Sequence, residues 1–460
     1  MARKLPPQDA YFSDLKTELR PLRKPKGGVF IPPPTPDFWP EEPGPDLDPE
    51  DNTWMGDLRW NGNSVRPFQS NAEIVLETSC TYAGSLAFDT FEGRVKLLRA
   101  IPGGGQAGSV FGEEHLLALR VWCETHLDVG FPLPLLSNAV KAVAMRNRRH
   151  VIQRFLDRLE WDGQDRISHL HDHYFGAEDT DYNRAITKRF LISAVARAYR
   201  PGAKADACLV MEGGQGTYKS TSLRVLFMND QWVNDTPLDL RSKDGHIGLQ
   251  GRWVVEFAEL DALSKADTAR VKAFLSLDRD RIRMPYEVNV REFPRTCIFV
   301  GTVNESAYLR DTTGGRRFWP LVIGDIDLNA LARDREQLWA EAVHLYKQGE
   351  VWHLTYEEEL LAREEQDIRR IESPMEAPMR SYLARRKDTT IDEILKDALD
   401  LKLYRANGRE GRQVAQILTG VFGWRRTKVK RDGIRVSGFV APVVQAEAPT
   451  IDEDDDAEMD

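Results

Sequence analysis

The sequence contains no apolar run that approaches the roughly 18–20 residues needed to span a bilayer, so no membrane segment and no membrane partner are expected. Its four cysteines, Cys80, Cys123, Cys208 and Cys297, are widely spaced and form no Cys-x-x-Cys pair. This spacing argues against a disulfide framework and against a cysteine zinc site. The basic residues near the amino terminus are not followed by an apolar stretch, so no secretory signal is expected. Together these absences predict a soluble, cytoplasmic protein.

An excess of positive charge is missing as well. The chain of 460 residues has 63 Lys and Arg against 72 Asp and Glu, a formal net charge of −9. Eight of the acids lie between Glu447 and the end of the sequence, where no basic residue occurs, so the rest of the chain is nearly neutral. Residues 445–460 are predicted to be an acidic, disordered tail that aids solubility. The alternative is that this tail mimics nucleic acid within the chain or binds a basic partner.

Periodic apolar positions are scarce in the first part of the chain. Residues 1–62 hold twelve of the 25 prolines. This composition predicts a Pro-rich flexible arm, extended or disordered, in which Trp39 and Trp54 could dock on a partner.

The remaining sequence is predicted to form an α/β protein with several units. They are a small α+β region at 63–135, a helical domain at 136–204, a parallel α/β core at 205–330, a helical part at 331–388 and a winged-helix-like domain at 389–444. The last of these follows from a helix, helix and β-ribbon order, with the ribbon turning at Asp432-Gly433.

Local patterns set some elements more closely. A hairpin is predicted at 86–97 with its turn at Gly93. Helices are predicted at 113–126, at 137–159 with Ser137 as its cap, and at 183–199 with Asn183 as its cap. Core strands are predicted at 207–212, 253–257 and 295–302.

The most informative pattern is a glycine-rich run between an apolar strand and a helix. It consists of Gly213, Gly214, Gln215, Gly216, Thr217, Tyr218, Lys219, Ser220 and Thr221. Glycines let backbone N–H groups turn inward around phosphate, and the following helix adds partial positive charge. Lys219 would reach the β- and γ-phosphates of ATP, and Ser220 would hold Mg2+. Tyr218 stands where such a loop normally has its last glycine, and the alternative is a glycine-rich turn with an incidental lysine.

Two acids follow the next apolar strand. Glu256 and Glu259 come after the run Trp253–Val255. At the carboxyl end of a strand beside a phosphate loop, such acids can hold Mg2+ and orient water. We assign Glu256 to the metal and Glu259 to the attacking water, although the two roles could be exchanged. Without the loop upstream, the same residues would indicate only a buried strand that runs into a solvated helix start.

A third apolar run, Cys297–Val303, ends in Asn304. An asparagine there can bind the γ-phosphate or the water, or it can cap the next turn. Arg316 and Arg317 follow a glycine-rich turn. They could stabilise transition-state charge in the site of a neighbouring copy, which requires a homo-oligomer, or they could form an ordinary surface pair.

Taken in order, four stretches resemble the virulence-associated protein E family of phages, prophages and mobile islands. They read GGQGTYKST, WVVEFAELDAL, KAFLSLDRDRIRMPYE and FPRTCIFVGTVNESAYLRDTTGGRRFWPL, and the resemblance covers roughly residues 140–355. That family is similar to superfamily 3 helicases. The resemblance implies an AAA+-like P-loop NTPase core, ATP hydrolysis, a hexameric ring and replication of a mobile element in a bacterial host cytoplasm.

The resemblance also assigns roles position by position. Lys219 and Ser220 match the Walker A pair, Glu256 and Glu259 the Walker B acids, Asn304 the sensor, and Arg316 and Arg317 the finger region. Tyr218 departs from the family's glycine, which puts the rate of turnover in doubt and not the nucleotide site.

Basic residues between the acids and the sensor are candidates for nucleic-acid binding. In the similar helicases this stretch forms a hairpin that lines the channel of the ring. Here it carries Lys272, Arg279, Arg281, Arg283 and Arg291 beside Tyr286. Alternating arginines suit a phosphate backbone, and the tyrosine suits stacking. The alternative is a solvated network in which the arginines pair with Asp278, Asp280 and Glu287.

The predicted ribbon near the carboxyl end carries a second basic set, Arg425, Arg426 and Lys428, which could contact a backbone or a minor groove. The expected partner is single-stranded or forked DNA. Replication proteins are further candidate partners of the acidic tail or the Pro-rich arm.

Other interpretations fit some of these features. An ATPase that loads or remodels protein–DNA complexes, or an ATP-switched initiator slowed by Tyr218, would carry the same motifs without unwinding DNA.

A fused primase is not expected, because residues 1–130 offer no paired-aspartate metal site. The alternating His169, His171 and His173 are only a weak metal signal.

Overall fold

The computed structural model describes residues 30, 32–46, 48, 52–240, 242–260, 265–283, 289–304, 308–309, 315–401 and 408–442. The helices in these ranges are α1 Gln69–Thr78, α2 Glu113–Leu127, α3 Leu133–Arg146, α4 Val151–Asp157, α5 Asp181–Tyr199, α6 Lys219–Phe227, α7 Lys243–Ile247, α8 Lys265–Leu275, α9 Leu328–Lys347, α10 Tyr356–Ile368, α11 Glu376–Leu383, α12 Ile391–Glu393 and α13 Gly408–Gly420. The strands are β1 Trp60–Asn61, β2 Ser64–Val65, β3 Leu86–Asp89, β4 Arg94–Leu97, β5 Arg148–Arg149, β6 Cys208–Glu212, β7 Val233–Asn234, β8 Val254–Phe257, β9 Arg279–Ile282, β10 Arg291–Pro294, β11 Ile298–Val303, β12 Phe318–Val322, β13 Asp388–Thr389, β14 Arg425–Arg431 and β15 Ile434–Val440. Among these described helices, none combines the length and the apolar character that crossing a membrane requires.

Five parallel strands form the central sheet in the order β12-β6-β11-β8-β7. The parallel α/β core predicted from the sequence is therefore confirmed. Strand β11 begins three residues later than predicted, at Ile298. Arg295, the predicted first residue, instead turns its guanidinium onto the buried carboxylate of Asp280, at 2.8 Å from both oxygens.

Both faces of the sheet are covered, as the unbroken apolar character of its strands requires. Alternate side chains of β6 enter different cores: Leu209 and Met211 belong to one, Cys208 and Val210 to the other. In the first core the rings of Trp253 and Trp339 stack with their centroids 4.3 Å apart. This packing fixes the sheet between helix layers, and it holds the ends of its strands in place.

The order of the strands creates a crevice. After β6 the chain crosses toward β7 at one edge of the sheet, whereas after β11 it crosses back past β6 to β12 at the other edge. Strands β6 and β11 are neighbours, so their connections leave in opposite directions. In open parallel sheets such a switch point opens a binding crevice beyond the carboxyl ends of the two strands.

The region before the sheet differs in part from the prediction. The hairpin of β3 and β4 turns at Gly93 as expected, with a φ of +71°. The single helix predicted over 137–159 is two helices, α3 and α4, because β5 between them pairs with β3. Ser137 is not a cap, since α3 already begins at Leu133.

The predicted cap of the following helix is also wrong. Helix α5 begins at Asp181, and the hydroxyl of Thr180 accepts a hydrogen bond from the backbone N–H of Asn183 at 3.1 Å. Threonine in this position satisfies a donor that the first turn of a helix leaves free. Asn183 therefore lies inside the helix.

Part of the Pro-rich arm packs on the body of the protein. Phe38 and Trp39 are buried in the core that covers the sheet, and the ring centroid of Phe38 lies 4.2 Å from that of Trp232. Glu42 forms ion pairs with Arg149 and Arg154. Residues 32–46 contain no helix or strand. The predictions of flexibility and of partner docking through Trp39 are wrong there, because burial of the two rings fixes the segment. Residues 1–29 lie outside the described residues.

The carboxyl-terminal unit has its own small core. Helices α11 and α13 pack on Trp424 and Phe439, and the sheet order is β13-β15-β14. The ribbon of β14 and β15 turns at Asp432 and Gly433, whose φ values are +48° and +79°. The predicted two-residue turn is therefore confirmed. The acidic tail from residue 443 lies outside the described residues.

Candidate nucleotide site and nucleic-acid surfaces

The glycine-rich run forms the loop between β6 and α6, at the crevice described above. Gly216 and Tyr218 have left-handed backbone, with φ of +82° and +60°. A Cβ atom on Gly213 would lie 2.8 Å from the Ile323 side chain, so the loop needs glycine there. The first turn of α6 begins at Lys219, directly after the loop. Its free backbone N–H groups and partial positive charge make this end of the helix an anion-binding element.

Lys219 joins the loop to the end of β11. Its ammonium donates hydrogen bonds to the carbonyl oxygens of Gly213 and Gly214, at 2.5 and 3.0 Å. The same Nζ lies 3.3 Å from Oδ1 of Asn304. The structure therefore brings together two candidate residues that are 85 positions apart in the sequence.

Ser220 and Glu256 form the next contact of the crevice. The Ser220 hydroxyl donates to Oε1 of Glu256 at 2.7 Å, and the Thr302 hydroxyl donates to the same oxygen at 3.0 Å. Glu256 is only 3% exposed, and its other oxygen, Oε2, is buried without a hydrogen-bond partner among the described residues. A hydroxyl and a carboxylate with an uncompensated oxygen are ligands that fit Mg2+.

The remaining loop residues and the second acid lie around this centre. Glu259 follows β8 in a turn, is exposed and has a φ of +55°. Gln215 is exposed, Thr217 donates its hydroxyl to the Gly214 carbonyl at 2.9 Å, and Thr221 is half-buried in the first turn of α6. The assignment of Glu259 to the attacking water stays a prediction.

Arg316 and Arg317 lie at the amino ends of the strands, whereas the glycine-rich loop lies at their carboxyl ends. They form a short turn directly before β12, and β12 runs parallel to β6, so the pair lies beside the amino end of β6. Nε of Arg317 lies 3.4 Å from Asp206, which precedes β6. Arg316 is exposed at the rim of a cleft of about 400 Å³ that also contains Trp352. The five-residue length of β6, at roughly 3.3 Å per residue, separates the pair from the loop of the same chain.

Sequence reasoning missed a buried cluster beside the loop. Glu212, the last residue of β6, accepts a hydrogen bond from the Tyr308 hydroxyl at 2.8 Å and one from Nε of Arg369 at 2.5 Å. Burial raises the pKa of Glu212, although the Arg369 charge opposes that shift. An acid at the end of an apolar strand was a visible signal, but its partner lies 157 residues further along the chain.

The sequence profile of the virulence-associated protein E-like domain matches residues 156–371. These residues are therefore similar to a virulence-associated protein E-like domain. The match contains β6, the loop, the acids, Asn304 and Arg369, and it confirms the resemblance on which the family assignment was based. No curated protein matches the chain.

Two solved structures with a similar outline are apo forms of the NrS-1 C-terminal region. The first has 12% sequence identity and a TM-score of 0.44, and the second has 11% identity and a TM-score of 0.43. Each alignment covers 78% of this chain and 96% of the other. At this distance neither structure supports an assignment of activity.

The basic hairpin lies within the matched residues 156–371, and its basic side chains differ in accessibility. Strands β9 and β10 pair antiparallel, and residues 284–288, including Tyr286 and Glu287, lie outside the described residues. Arg279 is paired with Asp278 and Glu292, and Arg281 lies 3.5 Å from Glu292. These contacts correspond to the alternative of a charge network, with Glu292 as a partner that the sequence did not suggest.

Three further basic residues of this stretch have distinct surroundings. Arg283 is exposed, and the guanidinium of Arg291 lies 5.2 Å from the ring centroid of Phe293. Lys272 is only 7% exposed and lies 5.8 Å from the ring centroid of Phe318. Its burial in α8 contradicts the prediction that Lys272 is available to a nucleic-acid backbone.

The second basic set lies outside the matched domain, on β14. Arg425, Arg426 and Lys428 are exposed, as predicted. Arg426 and Lys428 are two positions apart in β14, so they share one face of the ribbon. The buried Val429 lies on the other face. Arg431, at the tip, is held by Glu393 and Asp388.

Proposed function

We propose that the chain is an ATP-dependent nucleic-acid motor, specifically a ring-forming replicative DNA helicase of a phage or mobile element. The observation that carries the proposal is the convergence of Lys219 with Asn304, and of Ser220 with Glu256, at the crevice between β6 and β11. These pairs come from three separate strand ends, and they combine a cation, a hydroxyl, a buried carboxylate and an amide. Such a set suits a nucleoside triphosphate with its metal ion.

Each residue has a role in this proposal. The backbone of residues 213–218 and the start of α6 surround the phosphates of ATP, and Lys219 leaves its loop carbonyls to bind the β- and γ-phosphates. Ser220 and Glu256 hold Mg2+, which neutralises developing charge on the phosphates. Glu259 orients the attacking water, and Asn304 contacts the γ-phosphate or that water.

The position of Arg316 and Arg317 supports an oligomer. They lie beside the amino end of β6, whereas their own loop follows its carboxyl end. They can therefore complete a site only in a neighbouring copy. A closed ring, proposed as a hexamer, would place Arg316 and Arg317 of each copy against the glycine-rich loop of the next. An arginine supplied in this way typically raises hydrolysis by about 10³–10⁵-fold.

Nucleic acid would be held at two places. The exposed Arg283 and the flanking Arg281 and Arg291 would contact single-stranded DNA in the channel, and Arg425, Arg426 and Lys428 would contact it from a winged-helix-like unit. Exposed basic side chains on antiparallel ribbons suit backbone phosphates without sequence preference. The Pro-rich arm at 1–62 and the acidic tail at 445–460 remain candidates for binding replication proteins.

The first test is ATP hydrolysis by the full chain with and without single-stranded DNA. We expect DNA to raise the rate, Lys219→Ala to abolish it, and Lys141→Ala, an exposed lysine on α3, to leave it unchanged. An unwinding assay on a forked duplex then tests the helicase step. Hydrolysis that Lys219→Ala does not reduce would contradict the proposal.

One observation favours a second function without unwinding. Tyr218 occupies a left-handed position in the loop, with its side chain 45% exposed beside the phosphate-binding groups. A strained loop would slow hydrolysis, which suits an ATP-switched DNA-binding initiator or a loader that remodels protein–DNA complexes. ATP-dependent DNA binding without duplex separation would select this function over the helicase.

A further inference from the structure

Three side chains converge on a short turn that the proposed function does not use. The chain forms a 3-10 turn at Ile167–His169 and a π-helical turn at Leu170–Tyr174, directly before α5. Nδ1 of His169 lies 3.4 Å from Oδ2 of Asp172, and Nε2 of His173 lies 3.8 Å from the same oxygen. All three donor atoms lie within 4.8 Å of one another. Asp172, which lies between His171 and His173 in the sequence, thus brings a carboxylate to the two imidazoles.

Buried residues and hydrogen bonds hold this turn in place. Leu170 is fully buried and Tyr174 is 4% exposed, and the Tyr174 hydroxyl donates to Asp334 of α9 at 3.1 Å. The backbone carbonyl of Tyr174 also accepts a hydrogen bond from the N–H of Asp327 at 3.0 Å. The imidazoles of His169 and His173 stack above this base, with centroids 4.6 Å apart and planes 13° apart. The fold thus fixes the backbone that carries both histidines, and π-helical turns of this kind are frequent at functional sites.

The carboxylate of Asp172 has an uncompensated oxygen. Its Oδ1 is buried and has no hydrogen-bond partner among the described residues. Nε2 of His171 is 4.0 Å from this oxygen and is engaged with Asp179 at 3.0 Å. A buried acceptor without a donor costs free energy. A cation on Oδ2 would balance the charge of this carboxylate.

We propose that His169, Asp172 and His173 bind a divalent transition-metal ion, with Zn2+ as the best match. Imidazole nitrogen and carboxylate oxygen are ligands that Zn2+ binds at about 2.0–2.2 Å, which in a tetrahedron places the donors roughly 3.4 Å apart. The His169 to Asp172 distance of 3.4 Å already has this value, and the His173 to Asp172 distance is 3.8 Å. His169 and His173 are 41% and 66% exposed, so the fourth position faces solvent. The ion ties the turn before α5 in place, and the site is independent of the nucleotide crevice.

The test is Zn2+ binding to the full chain without an affinity tag, by competition with a chromogenic chelator and by the shift in melting temperature. We expect one equivalent to bind and the melting temperature to rise. His169→Ala and His173→Ala should each weaken binding at least tenfold, because loss of even an outer partner of a metal site typically costs about 10–100-fold. Both histidines are exposed, so the variants keep the fold, and their melting temperature without Zn2+ verifies this.

Two control variants separate this site from incidental binding. His126→Ala removes another exposed histidine, and Cys80→Ser removes the exposed thiol. Both should bind Zn2+ like the wild type. Absence of tight binding in the wild type, unchanged binding in both cluster variants, or loss of binding in Cys80→Ser alone would overturn the proposal.

Discussion

Tyr218 holds a backbone conformation that phosphate loops usually give to glycine. Its φ of +60° and ψ of 23° are left-handed, and it directly precedes the first residue of α6. A residue with a Cβ atom in this region costs roughly 1–2 kcal/mol relative to the right-handed form. The side chain is 45% exposed, so burial of the ring recovers only part of that cost.

Replacement of this tyrosine tests whether the strain matters. We expect Tyr218→Gly to raise the free energy of unfolding by about 1 kcal/mol, because glycine adopts positive φ without a steric penalty. ATP turnover should rise as well. Urea unfolding and steady-state hydrolysis measure the two effects. Tyr218→Ala is the matched control, since it removes the ring and keeps the Cβ atom; equal gains in both variants would contradict the strain argument.

Asp89 makes folding stability depend on pH. Burial, with a smaller contribution from the Glu92 charge, raises the pKa of Asp89 to about 7. Between its usual value near 4 and about 7, the folded form therefore binds more protons than the unfolded form, so stability falls as pH rises through this window and levels off above it. Oδ1 accepts from the backbone N–H groups of Phe91 and Val151, whereas Oδ2 is buried without a partner among the described residues.

The corresponding prediction concerns Asp89→Asn. The amide keeps an oxygen for both backbone donors and cannot ionise, so the variant should gain melting temperature relative to the wild type at pH 8 and little at pH 5. Thermal unfolding across that range measures the difference. Asp57→Asn, at an exposed aspartate, should show no such trend. A constant offset between wild type and Asp89→Asn at all pH values would refute the ionisation argument.

At the scale of elements, the end of α10 is joined to the strand that leads into the phosphate loop. Arg369 and Glu212 form an ion pair with side chains only 8% and 7% exposed, and Glu365 pairs with the same guanidinium. Arg370 pairs with Glu376 at the start of α11. Adjacent arginines thus connect β6, the strand before the glycine-rich loop, with the start of α11.

Breaking this pair should be costly. We expect Arg369→Met to lower the free energy of unfolding by about 3–5 kcal/mol, because it leaves the Glu212 carboxylate buried without a cation. The double variant with Glu212→Gln should recover part of the loss, and denaturant unfolding of all three variants gives the coupling energy. On the same helix, Arg363→Met removes an exposed pair with Glu359 and should cost at most about 1 kcal/mol. Additive losses in the double variant would show that the pair is not coupled.

The β9–β10 hairpin offers a comparison within one element. Arg283 is exposed, whereas Arg279 is engaged with Asp278 and Glu292. We expect Arg283→Ala to weaken single-stranded DNA binding and to reduce the salt slope by about 0.7 for one lost phosphate contact. Arg279→Ala should change both less. Fluorescence anisotropy over a salt series measures this, and a larger effect of Arg279→Ala would place the DNA elsewhere.

At the scale of the whole molecule, the two candidate halves of a hydrolytic site lie at opposite ends of the parallel strands of one sheet. The loop follows the carboxyl end of β6, and Arg316 precedes the amino end of β12. One chain therefore presents Lys219 on one side and Arg316 on the other. If Arg316 completes the proposed hydrolytic site, it can do so only in another copy of the chain.

Mixing two inactive variants tests that requirement. Lys219→Ala and Arg316→Ala should each lack DNA-stimulated hydrolysis, whereas an equal mixture should recover about a quarter of the wild-type rate, because a quarter of the interfaces in a ring then combine two intact residues. Arg317→Ala should have a smaller effect, since Arg317 already lies against Asp206 of its own chain. A mixture that stays inactive, or full activity of Arg316→Ala alone, would exclude a site shared between copies.

Local chemistry could be predicted well from the sequence. The glycine-rich loop, the strands before Glu256 and Asn304, the Gly93 hairpin and the Asp432-Gly433 turn depend on residues a few positions apart. Their patterns reflect apolar alternation and the backbone freedom of glycine, which act over short stretches of chain. The predicted helix at 137–159 failed because pairing of β5 with the distant β3 overrode the helical periodicity.

The sequence by itself determined which residue types could act and on which kind of element they stand. Only the tertiary structure decided which of them meet. It placed Asn304 against Lys219 and Arg369 against Glu212, it buried Lys272, and it separated Arg316 from the loop of its own chain. The physical reason is that these contacts depend on strand order and packing between segments far apart in the chain, which no local pattern of residues encodes.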